Sequence, residues 1–148
     1  MVTTESDFEE FIELLNANNV EYLIVGAYAM AYYGVPRYTK DLDLYIRPTA
    51  ENAAKIMQSL EQFGMGNVGL QATDFCQEER VIQLGVAPIR IDLVTSIPGV
   101  IWETAWANKS SVHYGDIPTF VIGRKEFVAS KRACGREQDI ADLKAMGE

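Results

Sequence analysis

The chain is poor in the residues that carry soft-metal and redox chemistry. It has two cysteines, Cys76 and Cys134, and one histidine, His113, in 148 residues. The cysteines stand far apart and outside any Cys-x-x-Cys spacing. That excludes a disulfide scaffold and an ordinary structural zinc site, and both read as free thiols in a reducing compartment. His113 has no obvious partner and reads as a surface histidine. No apolar run approaches the roughly 20 residues of a membrane span. The first residues show no basic segment followed by an apolar one, so no signal peptide is expected. Positive charge is also scarce: 13 Lys and Arg face 21 Asp and Glu, a net charge of −8. This argues against a protein that grips nucleic acid through bulk positive charge, and leaves only a local basic patch for RNA or DNA. The expectation is a cytoplasmic protein without membrane contact. Glu5, Asp7, Glu9, Glu10 and Glu13 fall in one N-terminal stretch and read as a solvated helix face.

The rest of the composition is ordinary. Hydrophobic residues make up 48% and charged residues 23%, and one domain over residues 1–148 has enough chain to bury a core. Periodicity predicts a helix over 7–18, with Ser6 as its cap, and a short buried strand over 22–25. A small-residue helix over 27–33 follows. A strand with Asp41 and Asp43 comes next, then a helix over 50–63 capped by Thr49. Further on, residues 72–76 suggest a helical turn. Strands over 81–84 and 89–94 flank a turn at 85–88, and residues 98–108 read as a helix with Trp102 and Trp106 packed inward. Strands at 111–114 and 119–122 precede two closing helices, 125–134 and 136–146, separated by Gly135. The fold class is α/β (α+β): a small mixed sheet flanked by helices, with a two-helix C-terminal tail.

The chemistry gathers between Gly26 and Ile46. Asp41 and Asp43 are two apart on a strand, so they share a face while Leu42, Leu44 and Ile46 take the other. Paired carboxylates repel unless a cation lies between them, and hard divalent ions prefer their oxygens. A third acid, Asp92, sits on Ile89-Arg90-Ile91-Asp92-Leu93-Val94, which alternates. If that strand lies beside the Asp41–Asp43 strand, three carboxylates converge into a cage suited to two magnesium ions. Each acid taken alone reads as a solvated strand face; the joint pattern carries the information.

These residues resemble the minimal polymerase β-type nucleotidyltransferases. Gly26 stands at the strand-to-helix turn, Asp41-Leu42-Asp43 on the next strand and Asp92 on a later one. Arg37-Tyr38-Thr39-Lys40-Asp41-Leu42-Asp43, Arg90-Ile91-Asp92-Leu93-Val94-Thr95 and Lys131-Arg132-Ala133-Cys134-Gly135-Arg136-Glu137-Gln138-Asp139-Ile140-Ala141-Asp142-Leu143 are similar to segments of the bacterial abortive-infection toxin-like (AbiEii-type) branch. The resemblance implies a nucleotidyltransferase-like fold. It also implies that Asp41, Asp43 and Asp92 bind metal, two Mg2+ ions or Mn2+ in their place, and carry catalysis. Gly26, Ala27, Arg37, Thr39, Lys40 and Lys131 would contact a nucleoside triphosphate such as ATP. Ala27 departs from the family's Gly or Ser at that position. Arg37 reads equally as a surface-loop arginine and Thr39 as a turn-stabilising hydroxyl. Lys131 belongs to a basic cluster with Arg124, Lys125, Arg132 and Arg136, and is either a phosphate or RNA contact or part of a solvated helix face. Asp139 and Asp142 read as partners of these bases.

Two functions follow from the resemblance. One is transfer of a nucleoside monophosphate to an acceptor hydroxyl, at an RNA (tRNA) end or on a protein side chain. It allows a toxin–antitoxin role with an antitoxin partner. The other is a nucleotide- or partner-binding member of the same fold without turnover, with Ala27 as its main support.

Overall fold

The computed structural model describes residues 5–36, 39–66, 68–85 and 90–148. Helix α1 (Ser6–Ala17) buries Phe8, Phe11, Ile12 and Leu15, one stripe at helical spacing. Its N-cap is Glu5, without a side-chain cap bond, so Ser6 lies inside the first turn and does not cap it. Strand β1 (Tyr22–Val25) is buried at all four positions and runs directly into α2 (Gly26–Tyr32). Strand β2 (Asp41–Ile46) and helix α3 (Ala50–Gln62) follow. Thr49 caps α3, its hydroxyl accepting from the Asn52 N–H. Asn52 is itself buried and sews the start of α3 to β1: it accepts from Glu21 N and donates to the carbonyls of Glu21 and Arg47.

Residues Ala72–Phe75 form a 3-10 turn with Phe75 fully buried. Strands β3 (Val81–Leu84) and β4 (Arg90–Val94) pair antiparallel, as the hairpin reading expects; the residues that join them beyond Gly85 lie outside the described part. Helix α4 spans only Trp102–Ala107, shorter than the predicted 98–108. The missing turn is explained by Gly99: its φ is +74°, and a Cβ there would press on Ala133 and the Ala129 carbonyl. The segment before α4 is laid tightly on another helix instead of coiling. Strands β5 (Ser110–Tyr114) and β6 (Ile117–Val121) form a hairpin whose turn starts with left-handed Gly115. Helices α5 (Arg124–Cys134) and α6 (Glu137–Ala145) end the chain, with Gly135 left-handed between them.

The six strands make one mixed sheet in the order β3-β4-β2-β1-β6-β5. β2 is parallel to β4 and antiparallel to β1, and β1 is parallel to β6. Leu42, Leu44 and Ile46 of β2 and Ile91 and Leu93 of β4 join the inner faces of α1 and α3 in one core. Burial of each such side chain contributes roughly 1.5–3 kcal/mol. The apolar face fixes the register, and the register then decides what the opposite face presents. Further along that opposite face Tyr45 meets the edge of Trp102, 4.8 Å away, and Trp102 stacks on Trp106.

Among the described residues no helix is long and apolar enough to cross a membrane.

Candidate active site

Strand register builds the site. Asp43 lies directly opposite Asp92 across the parallel β2–β4 pair, and Asp41 lies opposite Arg90. All four side chains leave the same face of the sheet, because alternate residues of a strand share a face. The neighbouring strand positions that the sequence left conditional are therefore occupied as required. β1 forms the other flank: Val25 pairs with Asp43, and the next residue is Gly26. Its φ is +69°, and a Cβ on it would run into the Asp43 carboxylate. Glycine is needed there for the backbone conformation and for space.

The carboxylates are not equivalent. Asp41 is more open than Asp92, its side chain 42% exposed against 13%. Asp43 is held up at about 6, first by burial, then by the charges of Asp92 and Asp41, with partial relief from Arg90. The Arg90 guanidinium spans the other two acids. Its Nη2 donates to Asp41 Oδ2 and Asp92 Oδ2, each at 3.2 Å. Its Nε lies 3.2 Å from Asp92 Oδ1, but the angle is poor, and both atoms are buried without an aligned hydrogen bond.

Among the described residues, three carboxylates meet one guanidinium, an excess of negative charge that a proton or a metal ion would relieve. The donor set suits a hard divalent cation: only carboxylate oxygens, one of them buried and unbonded. Among the described residues no three His, Cys, Asp or Glu side chains stand close enough to hold an ion as they are. Asp41 and Asp92 are turned onto Arg90. The residues fit magnesium in chemistry, and their carboxylates would have to turn from Arg90 to the ion.

The remaining sequence candidates divide. Thr39 Oγ1 accepts from the Asp41 N–H at 3.0 Å, so it sets the start of β2. Lys40 is exposed, and its carbonyl accepts from Arg90 N, extending the β2–β4 ladder past the acids. Ala27 is the second residue of α2, beside Gly26. Arg37 lies outside the described residues. Lys131 is not brought to the acids by any contact: it is buried, with its Nζ 2.7 Å from Asp142 and 3.8 Å from Asp139. The three arginines of the cluster around it are engaged near the C-terminal helix. Arg124 donates to the Met146 carbonyl, Arg124 and Arg132 pair with Glu148, and Arg136 with Asp139.

Arg90 is the site residue that sequence reasoning missed. A signal was present, since it shares a strand face with Asp92, but the second partner, Asp41, comes only from the parallel pairing.

A groove of about 710 Å³ lies at the far end of β2 and β4, lined by Tyr45, Arg80, Val81, Ile101 and Trp102 among others. Val81 and Ile101 are the most exposed large hydrophobic residues described. Tyr45 is on the acid-bearing face, one pleat beyond Asp43. Its phenol is pushed up to about 12 by burial, then by the charges of Glu103 and Glu78. A second hollow of about 750 Å³ is lined by Asn16, Glu21, Trp106 and Phe120 among others, and none of the three acids lines either it or the groove.

Neither protein-family models nor curated proteins match the chain. Solved structures do. One is a crystal structure from Thermotoga maritima called a "putative nucleotidyltransferase", with a TM-score of 0.60 at 14% identity over 93% of this chain and 88% of that one. The fold is nucleotidyltransferase-like. At that identity the likeness speaks for the fold, and the nucleotidyltransferase-like sheet is the one that sets Asp43 against Asp92.

Proposed function

We propose that the protein is a metal-dependent nucleotidyltransferase of the cytoplasm that moves a nucleoside monophosphate from a triphosphate, ATP among the candidates, to an acceptor hydroxyl. The observation that supports this best is the opposition of Asp43 and Asp92 across β2 and β4, beside a turn that only glycine fits. Bound Mg2+, or Mn2+, would supply charge neutralisation for the triphosphate and the leaving pyrophosphate. Asp41, Asp43 and Asp92 would hold it. The acceptor oxygen forms its bond to the α-phosphorus as the bond to the β-phosphate oxygen breaks, and pyrophosphate departs. The hydroxyl proton passes to Asp92 or to water. The chain's own contribution is positioning and a fixed field.

The groove beyond Asp43 is the natural seat for the acceptor. Its lining carries Glu78, Glu79 and Glu103 against Arg47 and Arg80, with Glu78 and Glu103 nearest in effect to the Tyr45 phenol, and offers a polyanion no net positive charge. The lack of net positive charge supports a protein side chain over an RNA end. A toxin role, restrained by an antitoxin partner, is consistent with the resemblance to the abortive-infection toxin-like branch.

The test is label transfer. Purified protein, magnesium and each labelled triphosphate are incubated with bacterial protein and, separately, with bacterial RNA, using Asp41→Asn/Asp43→Asn as control. Label on protein that requires the intact acids is the expected result. Ala27 favours a second reading, a nucleotide-binding module without turnover, because the residue lacks the hydroxyl of serine and the freedom of glycine. Nucleotide binding with no transfer to either acceptor pool would favour that reading, or a small-molecule acceptor absent from both pools.

A further inference from the structure

We propose that Arg90 is an internal counter-ion that must leave Asp41 and Asp92 before metal binds, and that its guanidinium then passes to the triphosphate. Metal and nucleotide would thereby bind cooperatively through one side chain. The inference rests on the nucleotidyltransferase reading and adds a role for a residue to which the motif resemblance assigned none.

Four observations carry it. The guanidinium occupies the space between two of the three acids, with one nitrogen shared 3.2 Å from each. A divalent ion held by the same oxygens would compete for that position. The contact is imperfect: Arg90 Nε and Asp92 Oδ1 are buried, adjacent and unaligned. A charge pair in that state gives up less when it opens than a fully satisfied one. The Arg90 side chain is 36% exposed, so a route to solvent exists. Finally, Arg90 stands opposite Asp41 on the acid-bearing face, and a guanidinium there remains close to whatever the acids hold. Its planar fork matches phosphate oxygens as well as it matches carboxylates.

The consequence is thermodynamic. Metal alone must displace Arg90 with nothing to receive it. Triphosphate alone meets three carboxylates. Together each removes the other's cost, and the coupling is reciprocal. In the metal-free protein Arg90 also limits the repulsion among the acids.

Binding separates the possibilities without any turnover. Free Mn2+ is followed by its electron paramagnetic resonance signal, with and without a non-hydrolysable ATP analogue, and analogue binding is followed by calorimetry. In the wild type each ligand should tighten the other at least about tenfold, within the usual span of coupling between sites. Arg90→Gln should bind Mn2+ alone several-fold more tightly than the wild type and lose most of the coupling. Arg90→Lys, which keeps the charge and so serves if Arg90→Gln does not fold, should keep weak binding of Mn2+ alone but lose part of the coupling. Wild-type coupling retained in Arg90→Gln, or in Arg90→Lys if only that variant folds, would overturn the role of Arg90 alone. A wild type that binds neither Mn2+ nor the analogue, even when both are present, would overturn the nucleotidyltransferase reading and this proposal with it.

Discussion

Arg90 lies between Asp41 and Asp92; Lys131 lies between Asp139 and Asp142. The two clusters contain the same kinds of group, yet they are finished differently. At Lys131 the acids are buried and satisfied. Asp142 takes the ammonium at 2.7 Å and the Gln138 amide at 2.8 Å, and Asp139 takes Arg136 at 2.7 Å. Two bases meet two acids, and Asp139 is held below the ordinary carboxylate range, chiefly by its hydrogen bond from Arg136. At Arg90, among the described residues, one guanidinium bridges two of three acids, one carboxylate oxygen has no aligned donor, and Asp43 is held up at about 6. A closed network ties α5 to α6. An open one retains an electrostatic deficit that a structural role alone does not call for. Balance, more than the presence of acids, separates a clamp from a site.

The largest effect should come from removing charge at the open cluster. Asp43→Asn is expected to cost at least about a thousandfold in nucleotidyl transfer, a loss of the size seen when preorganised charge is removed. At neutral pH the same change should leave the metal-free protein as stable as the wild type or more so, since it deletes a repelled carboxylate. Transfer assays and thermal melting on one sample check both halves. A variant that is inactive and also strongly destabilised would mean that Asp43 works as a structural residue.

The closed cluster should respond in the opposite way. Lys131→Met leaves Asp139 and Asp142 buried with less compensation, and should destabilise the fold by about 3–5 kcal/mol. Denaturant titration measures this. If Lys131 only clamps the helices, nucleotide affinity at low temperature, where the variant is folded, should stay within about twofold of the wild type. A large selective loss of nucleotide affinity would support the phosphate-binding role that the motif resemblance implies for Lys131.

That division shows what could be read along the chain. Alternation in Asp41–Ile46 and Arg90–Val94 exposed two strands with acids on one face, because a buried opposite face leaves a period of two. The parallel pairing of those strands is a tertiary fact, and with it came the Asp41–Arg90 contact. Lys131 was ambiguous for a related reason. Its main partner lies 11 residues away beyond the Gly135 turn, and linear spacing does not say whether two helices fold back on each other. Ser6 and the shortened α4 failed locally: Glu5 took the cap position, and Gly99 spent its freedom on a close contact with α5.

Acidity should pull the clusters apart. Without metal, Asp43 is raised in the folded state from an ordinary 3.8 to about 6. Its contribution to stability is fully present below the lower value and is lost as pH rises through about 6, by an amount on the order of 2–3 kcal/mol. Asp139 is lowered, so its contribution is present above the ordinary carboxylate value and is lost as pH falls through the depressed one. Melting curves in chelator from pH 3 to 8 should therefore show Asp43→Asn without the loss of stability between about 4 and 6. Asp139→Asn should lack part of the acid-side fall. Saturating magnesium should flatten the first transition, because the ion favours the charged carboxylates. A wild-type curve that rises steadily from pH 4 to 7 in chelator would contradict the excess of charge at the acids.

The smallest effect is the most discriminating within the closed cluster. The Arg136 side chain is 75% exposed while that of Asp139 is 4% exposed. Asp139 keeps Lys131 when Arg136 is removed. Arg136→Ala should therefore cost less than Lys131→Met, and should lose part of that cost at 1 M salt because the guanidinium itself is open to counter-ions. Lys131→Met should keep its cost in the same salt, because its pair is out of reach of counter-ions. Equal salt sensitivity in the two variants would mean that the Lys131 pair is hydrated in solution, and the contrast between a sealed clamp and an open acid site would lose its sealed half.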